Sequence, residues 1–560
     1  MNLFNKLVMS VLAALFLSPL AFASPSPEKV PAASSEELQW FRDAKFGLFI
    51  HWGPVSLKGT EIGWSRGGER KFPKGAGTEV PAEIYDNLYK QFNPVKFNAV
   101  EWVALAKEAG MKYLVFTTKH HDGFCMFDAK LSDYKITNSP FHRDVVKELA
   151  DACHKAGLKL GFYHSPPDWR HPDYFTENHS RYIEYLHSLV RELCSHYGKV
   201  DILWFDGLGG KPEDWGSYEM IPMIRQLQPG ILINNRAGLP QDFDTPEQRV
   251  GRFQNDRAWE SCITICQQWA WKPNDVMKTL QQCIDILVRS VCGDGNLLLN
   301  VGPMPSGEIE ARQVERLKEI GAWMKKYGDS LYGTRGGPIK TGAWGGSTYK
   351  GNTVYLHILD WGEDGVLRLP DLGKKILSSK TLTGGEAQIK AANGVLEINL
   401  PAEKRDPLDT IIALELDGPS SEIAPRSALL SPSLASDKKA EASNVYQKND
   451  WAFGPAMAFD DDPSTRWATD EGVKQAWLAV DLGKPETFHR ITLREENGRV
   501  NQFELQYKDG ENWKTFHKGT KIGDKLTVDF KPVMAQRVRL NILDASNGPT
   551  IWEMEIIAAK

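Results

Sequence analysis

A single carboxylate, Asp206, directly follows the apolar run from Ile202 to Phe205, and Gly207 comes next. A charged group at the tip of a buried strand is unfavourable unless it is paired or used in chemistry. Barrel enzymes built on parallel strands place their catalytic groups at such tips. The alternative is that Asp206 only caps a following helix, so the rest of the chain has to decide between these two interpretations.

Polar side chains end most of the other strand-like runs as well. In chain order they are His51, His120 with His121, His164, Asp206, Arg236 and Asn300. Amphipathic helical patterns separate these runs throughout residues 36–330. Such an alternation predicts an α/β fold, a catalytic (β/α)8-like TIM barrel, rather than an open sheet. The polar residues would then share one site at the carboxyl ends of the strands.

Composition and the N-terminal residues limit the classes of function. The chain has 560 residues, a net charge of −5 and 25% charged residues, so nothing indicates a nucleic-acid partner. Residues 1–23 resemble a signal peptide, because Lys6 precedes the apolar run 7–17 and the small-x-small segment 21–23. That run is too short to span a membrane. We predict a secreted or periplasmic protein that is not inserted in a membrane after cleavage.

The pattern changes to all-β after the barrel region. Short alternating runs with glycine-rich turns predict a β-sandwich over residues 331–417. Residues 418–439 are rich in Pro and Ser and are expected to form a linker. Residues 440–560 then form a second all-β module. Most of the seven cysteines are expected to be buried free thiols, although an oxidising compartment would allow a disulfide.

The candidate residues favour one chemistry. The chain has no His/Cys zinc pattern, no GxSxG elbow and no phosphate-binding loop. A carboxylate at a barrel mouth among His, Arg and Trp side chains suits glycoside hydrolysis. In that reaction one carboxylate attacks the anomeric carbon, and a second, protonated carboxyl group releases the leaving group.

Five segments make the assignment specific: 45–53 (KFGLFIHWG), 118–124 (TKHHDGF), 161–165 (GFYHS), 204–207 (WFDG) and 298–303 (LLNVGP). In their order they resemble the α-L-fucosidases of glycoside hydrolase family 29, over residues 36–417. The resemblance implies a retaining exo-enzyme acting on terminal α-L-fucosyl groups of fucosylated glycans. It also implies that catalysis needs no metal or organic cofactor.

The resemblance also implies roles for individual residues. Asp206 stands where the family has its nucleophile, and the charges of Arg236 and of a protonated His would keep it ionised. The substrate-binding residues carried over are His51, Trp64, His120, His121, His164, Trp204 and Arg236. His164 departs from the family, which has a second aromatic residue there, so one hydroxyl contact would differ.

The general acid is open among several carboxyl groups between the fifth and sixth predicted strands. These are Asp242, Asp244, Glu247, Asp256 and Glu260. We favour Glu260, because it follows Trp259 and precedes the strand expected at 262–266. A carboxyl group against an indole is desolvated, which raises its pKa and suits an acid. The segment 259–262 also resembles family members selective for α1-3/4-linked fucose. Glu247 and Asp256 remain the alternatives.

The C-terminal module resembles the discoidin, or F5/8 type C, domain found in family 32 carbohydrate-binding modules. Segments 458–467, 477–483 and 552–556 carry the resemblance. It implies a structural Ca²⁺, for which Asp460, Asp462, Thr465 and Glu553 offer hard oxygen ligands. The alternative is a salt bridge to Arg466 without metal.

Two other functions stay open. An α-L-galactosidase would use the same machinery, since its substrate adds only a hydroxyl on C6, and the departure at His164 leaves room for it. A catalytically inactive carbohydrate-binding protein built on this barrel is the third hypothesis, against which the intact Asp206 argues.

Overall fold

The computed structural model describes residues 30–362, 364–428, 433–461 and 465–559. The predicted signal peptide, residues 1–23, therefore lies outside the described residues. Within the described ranges no helix is both long and apolar enough to cross a membrane.

The N-terminal half forms a closed parallel barrel, which confirms the predicted fold class. Its strands run in the spatial order β5-β4-β3-β2-β1-β8-β7-β6. A single parallel bridge between Asn234 and Phe243 joins the two ends of this order. The strands are β1 (Phe46–Ile50), β2 (Tyr113–Lys119), β3 (Lys159–His164), β4 (Ile202–Phe205), β5 (Leu232–Ile233), β6 (Phe243–Asp244), β7 (Ala258–Thr264) and β8 (Asn296–Val301).

Helices cover the outside of the barrel. They are Ala99–Glu108, Val145–Ala156, His179–His196, Ser217–Leu227, Leu280–Cys292 and Ala311–Tyr327. Their starts follow the local sequence: the side chains of Asn98, Asp144 and Thr279 accept hydrogen bonds from the first free backbone amides. A further helix, Ser35–Ala44, closes the amino-terminal end of the barrel, where the ring of Phe41 lies 4.8 Å from that of Phe243.

Two strands differ from the sequence-based expectation. Strand β6 has only two residues, too few to produce a recognisable apolar run. Strand β7 begins at Ala258 rather than at Cys262, and all seven of its residues are buried. The charge of Glu260 interrupts the apolar pattern, so the sequence suggests a loop where the chain already forms the barrel wall.

A β-sandwich follows the barrel, and two antiparallel sheets enclose its core. The five-stranded sheet contains Arg335–Gly336, Gly345–Lys350, Thr353–Ile358, Thr410–Leu416 and Ile376–Thr381, and the three-stranded sheet contains Val366–Pro370, Val395–Asn399 and Gln388–Ala392. Residues 418–428 of the predicted linker pack onto this sandwich, because Ile423 and Ala428 belong to its buried core. That part of the predicted linker is thus a packed segment.

The C-terminal module has a separate hydrophobic core and a seven-stranded antiparallel sheet. Its strands are Lys439–Ala442, Trp467–Ala468, Ala476–Glu495, Val500–Asp509, Asn512–Gly519, Leu526–Ala545 and Thr550–Ala558. The module contacts the barrel domain, where Nη1 of Arg252 lies 3.7 Å from Sδ of Met457. All seven cysteines are buried free thiols, in the barrel part of the chain.

Candidate active site

The carboxylate of Asp206 lies at the mouth of the barrel, one residue beyond the end of β4. Its Oδ2 accepts a hydrogen bond of 3.0 Å from the hydroxyl of Tyr163, and its Oδ1 accepts one of 3.0 Å from Nη1 of Arg236. Only 13% of the Asp206 side chain is exposed. The carboxylate is therefore paired with side chains from β3 and from the turn after β5, the two neighbours of β4, which favours a role at the mouth over helix capping.

Arg236 connects Asp206 to a second carboxylate. Thr245 fixes the guanidinium, since its Oγ1 accepts from Nε at 2.8 Å and its carbonyl accepts from Nη2 at 2.7 Å. Nη1 is then directed both to Asp206 and to Oε2 of Glu247, at 2.7 Å from the latter. Burial lowers the pKa of Arg236, but the charge of Asp206 and the other acidic groups around it raise that pKa above its usual value. The guanidinium is therefore a permanent cation between two carboxylates.

Hydrogen bonds determine which nitrogen of His51 faces the pocket. The side-chain amide of Asn300 donates to the carbonyl of Trp269 at 2.8 Å, so its oxygen faces His51. Nδ1 of His51 lies 2.7 Å from this oxygen and must be the protonated nitrogen. The lone pair of the neutral ring is then on Nε2, which can accept a hydrogen bond from a sugar hydroxyl.

His121 presents a buried nitrogen to the same cluster. Its Nδ1 lies 2.6 Å from the hydroxyl oxygen of Ser165, which is also 2.8 Å from the carbonyl oxygen of Pro167. Nε2 is buried, has no hydrogen-bond partner among the described residues, and lies 3.5 Å from Oδ2 of Asp206. A hydrogen bond between Nε2 and a substrate hydroxyl would satisfy this buried nitrogen.

These histidines are neutral because they are buried. Burial lowers the pKa of His51 to about 3, and it also lowers the pKa values of His120 and His121 well below the usual range. The expectation of a protonated His beside Asp206 is therefore wrong, and the cation that contacts this carboxylate is Arg236. The rings recognise hydroxyl groups by direct hydrogen bonds, not by charge.

Aromatic rings surround this cluster. The ring of Trp64, 39% exposed, lies 5.6 Å from that of His121 and 5.0 Å from that of Trp169. On the other side the ring of Trp269 lies 4.8 Å from that of His51. His120 is stacked on Tyr163 at 5.4 Å. The structure therefore brings His51, Trp64, His120, His121 and Arg236 together around Asp206, as predicted from the sequence.

Sequence reasoning missed Tyr163 and Trp269 and placed His164 in the pocket instead. Side chains alternate between the two faces of a strand. Since Tyr163 points to Asp206, the next residue, His164, points outward, where its Nδ1 lies 3.0 Å from the hydroxyl of Thr118. The alternation of side chains along a strand was the signal in the sequence that could have identified Tyr163 as the residue facing the pocket. Trp204 is also not a wall of the pocket: it is 1% exposed and lies beneath Arg236, 4.8 Å from its guanidinium.

Glu260 does not lie at the mouth of the barrel. It is the third residue of β7 and fully buried, and it accepts hydrogen bonds from the indole of Trp204 at 3.1 Å and from the hydroxyl of Tyr113. The carboxyl ends of parallel strands form the mouth, so a residue near the start of a strand lies deep in the barrel. Burial does raise the pKa of Glu260, to about 7. The carboxyl group of Glu260 is therefore desolvated as expected, but it faces the barrel interior and not the pocket around Asp206.

The other candidate acids occupy different environments. Asp242 forms an ion pair with Arg225 at 2.7 Å, and Asp244 forms one with Arg257 at 2.9 Å. Glu247 is 41% exposed and shares Arg236 with Asp206. Among the candidate acids in the described part of the chain, Glu247 is the one connected to Asp206 through a common partner.

Comparison with known proteins identifies the family. The family model described as alpha-L-fucosidase matches residues 23–329, more than half of the chain. The chain belongs to the α-L-fucosidases of glycoside hydrolase family 29. Residues 439–556 match the F5/8 type C domain. Both findings confirm the resemblances that the sequence motifs indicated.

Individual α-L-fucosidases support the assignment. The tissue alpha-L-fucosidase of Rattus norvegicus is 30% identical over 415 residues, which cover 66% of this chain and 87% of that protein. The structure of α-L-fucosidase isoenzyme 1 from Paenibacillus thiaminolyticus is 38% identical with a TM-score of 0.61, covering 68% of this chain and 99% of that one. A Bacteroides thetaiotaomicron α-L-fucosidase, trapped as a covalent intermediate with 2-fluoro-fucosyl fluoride, is 27% identical with a TM-score of 0.61, covering 72% and 100% of the two chains.

The predicted calcium ligands are only partly described. The hydroxyl of Thr465 donates to both carboxylate oxygens of Asp460, at 2.8 and 2.9 Å. Asp462 lies outside the described residues. Glu553 is buried on strand Thr550–Ala558, in register with Arg494. Within the described ranges, no group of three or more His, Cys, Asp or Glu side chains is arranged to hold a metal.

The buried carboxyl group of Glu260 predicts a pH-dependent stability. Because its pKa rises from 4.5 to about 7 on folding, the folded protein keeps a proton that the unfolded chain releases between these values. The free energy of unfolding should therefore fall as the pH rises through this window. In Glu260→Gln the neutral amide can accept from Trp204 and donate to the Tyr113 oxygen. The free energy of unfolding of this variant minus that of the unaltered protein should therefore increase by about 3 kcal/mol between pH 4.5 and pH 8.

Urea unfolding at both pH values measures this difference. The matched control is Glu247→Gln, the same change at a carboxylate that is 41% exposed. A stability difference for Glu260→Gln that does not change between pH 4.5 and pH 8 would contradict the predicted protonation of Glu260.

Proposed function

We propose that this protein is an exo-acting, retaining α-L-fucosidase that hydrolyses terminal α-L-fucosyl linkages of oligosaccharides or glycoconjugates. The observation that carries the proposal is the shared contact of Nη1 of Arg236, 3.0 Å from Asp206 and 2.7 Å from Glu247. The two carboxylate oxygens cannot be farther apart than the sum of these distances. Such a limit is compatible with the separation of about 5–5.5 Å between the two carboxyl groups of retaining glycosidases.

In the proposed mechanism Asp206 is the nucleophile and Glu247 the general acid and base. Asp206 attacks the anomeric carbon of fucose while Glu247 gives its proton to the glycosidic oxygen, which leaves with the aglycone. Glu247 then removes a proton from water, and the water attacks the fucosyl ester of Asp206 to release fucose with retained configuration. The relative trapped as a covalent intermediate supports this double displacement.

The buried rings support selection of a terminal sugar. His51 directs a lone-pair nitrogen into the pocket, His121 directs its Nε2 there, and Trp64 and Trp269 provide apolar faces beside them. Hydrogen-bonding groups at the closed end of a pocket recognise hydroxyl groups of one bound residue. A sugar inside a longer chain would have no exit at that end, which favours exo action.

The structure bears on the two alternative functions. The α-L-galactoside hypothesis was based on His164, which points away from the pocket. An inactive carbohydrate-binding protein would not need two carboxylates on one guanidinium. The proposed α1-3/4 preference rests on the segment 259–262, which lies in the barrel wall. Comparing kcat/KM for α1-2-, α1-3- and α1-4-linked fucosyl trisaccharides and for the nitrophenyl L-fucoside and L-galactoside tests substrate and linkage together.

Replacing the nucleophile should stop the first step. For Asp206→Ala we expect kcat/KM on 4-nitrophenyl α-L-fucoside to fall at least about a thousandfold, equivalent to about 4 kcal/mol of transition-state stabilisation. Added azide should restore release of nitrophenol and form β-L-fucosyl azide, because azide enters from the side that the carboxylate occupied. Nuclear magnetic resonance of the product gives the configuration. Unchanged hydrolysis in Asp206→Ala would disprove the assigned nucleophile.

The acid is tested by the same substitution at two carboxyl groups. Glu247→Gln should lower kcat/KM on a fucosyl trisaccharide by about 10²–10⁴-fold, the usual contribution of a general acid. Its effect on dinitrophenyl fucoside should be smaller, since that leaving group departs without a proton. Glu260→Gln should keep most of the activity on both substrates.

Azide provides an independent test of the acid. It should rescue Glu247→Ala with α-L-fucosyl azide as product, because it attacks the covalent intermediate in place of water. Loss of the trisaccharide reaction in Glu260→Gln, with Glu247→Gln active, would move the acid role back to Glu260.

A structural Ca²⁺ in the C-terminal module is the second proposal. Asp460 and Thr465 supply oxygen donors of the kind that Ca²⁺ prefers, but fewer than the six to eight that it takes. If residues 462–464 complete the shell, adding millimolar CaCl₂ to EDTA-treated protein should raise the Tm of the module in calorimetry, and Asp460→Ala should lose this response. If CaCl₂ does not change the Tm of the unaltered protein, the metal site is disproved and the alternative is the salt bridge to Arg466.

A further inference from the structure

The C-terminal module reaches the active site. A cleft of about 700 Å³ opens beside Asp206, and one of its walls comes from the module. The barrel wall consists of Asp206, Leu208–Gly210, Asn235, Arg236 and Gly238–Pro240, and the opposite wall of Gln447–Asp450. Such a volume is within the about 300–1,000 Å³ of small-ligand sites. We call residues 447–450 the module loop.

The cleft and the fucose pocket lie beside different oxygens of Asp206. Oδ2 of Asp206 faces Tyr163 and the histidine cluster, whereas Oδ1 faces Arg236, which lines the cleft. The lining includes none of the histidine or tryptophan rings of the pocket. Arg236 also holds Glu247, the proposed acid, beside which the glycosidic oxygen must lie. A leaving group attached to that oxygen therefore extends toward the cleft.

The module loop is held in a defined conformation. The carboxylate of Asp470 accepts from the backbone amide of Gln447 at 2.6 Å and from the side chain of Asn444 at 3.0 Å. The side chain of Asn449 caps the short helix Asp450–Phe453 through the amide of Ala452. These contacts maintain two successive left-handed residues, Gln447 (φ 51°) and Lys448 (φ 54°), which non-glycine residues rarely adopt. The side chains of both residues are exposed at the cleft.

The chemistry of the two walls matches a sugar. Leu208, Leu239 and Pro240 provide apolar surface on the barrel side, and a Cβ atom at Gly209 would meet no other atom within 4 Å. The amide of Gln447 and the ammonium group of Lys448 stand opposite, as groups that can form hydrogen bonds with hydroxyl or N-acetyl oxygens. Apolar surface with a few polar groups is the usual lining of a small-ligand site.

We propose that Gln447 and Lys448 form part of the subsite for the sugar that carries the fucose, so that the C-terminal module determines which aglycones the enzyme accepts. This inference rests on the proposed fucosidase function. It assigns the module a position in the substrate complex, in addition to any remote binding of carbohydrate.

The test compares two substrates of the full-length enzyme. One is 4-nitrophenyl α-L-fucoside, and the other is whichever α1-2-, α1-3- or α1-4-linked fucosyl trisaccharide the unaltered enzyme hydrolyses fastest. In Gln447→Ala/Lys448→Ala, kcat/KM for the trisaccharide should fall about tenfold, the effect of losing one or two hydrogen bonds, mainly through KM. For the aryl fucoside it should fall less than about twofold. Lys521→Ala, an exposed lysine elsewhere on the module, is the matched control.

Each outcome separates this inference from the proposed function. An unchanged trisaccharide reaction in the double variant would overturn the subsite. An equal loss of kcat/KM on both substrates would also overturn the subsite, since the loop would then act on the fucose pocket or on folding. The Tm of the double variant distinguishes these two effects. If the unaltered enzyme hydrolysed neither substrate, the proposed function itself would fail.

Discussion

One guanidinium between two carboxylates determines the arrangement of the active site. Arg236 contacts Asp206 and Glu247 through a single nitrogen, and Thr245 holds its other nitrogens. The pair of carboxylates can approach each other only because this cation lies between them. The loops after β4, β5 and β6 must therefore converge on one point.

The barrel brings these three loops together at its mouth, and side chains inside the barrel support Arg236 from below. Trp204 lies under the guanidinium, and its indole donates to Glu260 deeper in the barrel. Tyr113 holds the same carboxyl group from β2. A neutral acid buried at this depth satisfies the indole N–H, which would otherwise be buried without a partner. Glu260 thus positions the floor of the site through Trp204, although it does not face the pocket.

The position of the C-terminal module changes what its resemblance implies. A discoidin-like domain suggests an independent carbohydrate-binding unit attached by a linker. Instead, part of the predicted linker packs on the sandwich, and Gln447–Asp450 stand across a cleft from Asp206. Domains that are separate in sequence thus line one cleft beside Asp206.

The barrel, most of its strands and helices, the family and the position of Asp206 at a strand tip follow from the amino-acid sequence alone. These depend on local patterns: apolar runs, caps, and short motifs around His51, His120 and Trp204. The sequence did not determine the second carboxylate or the rings beside it. Whether Glu260 or Glu247 faces Asp206 depends on where β7 begins and on how the loop after β6 folds. Whether Tyr163 or His164 faces the pocket depends on strand register. These are relations between distant segments, set by packing and by the Arg236 ion pairs, so they are visible only in the folded protein.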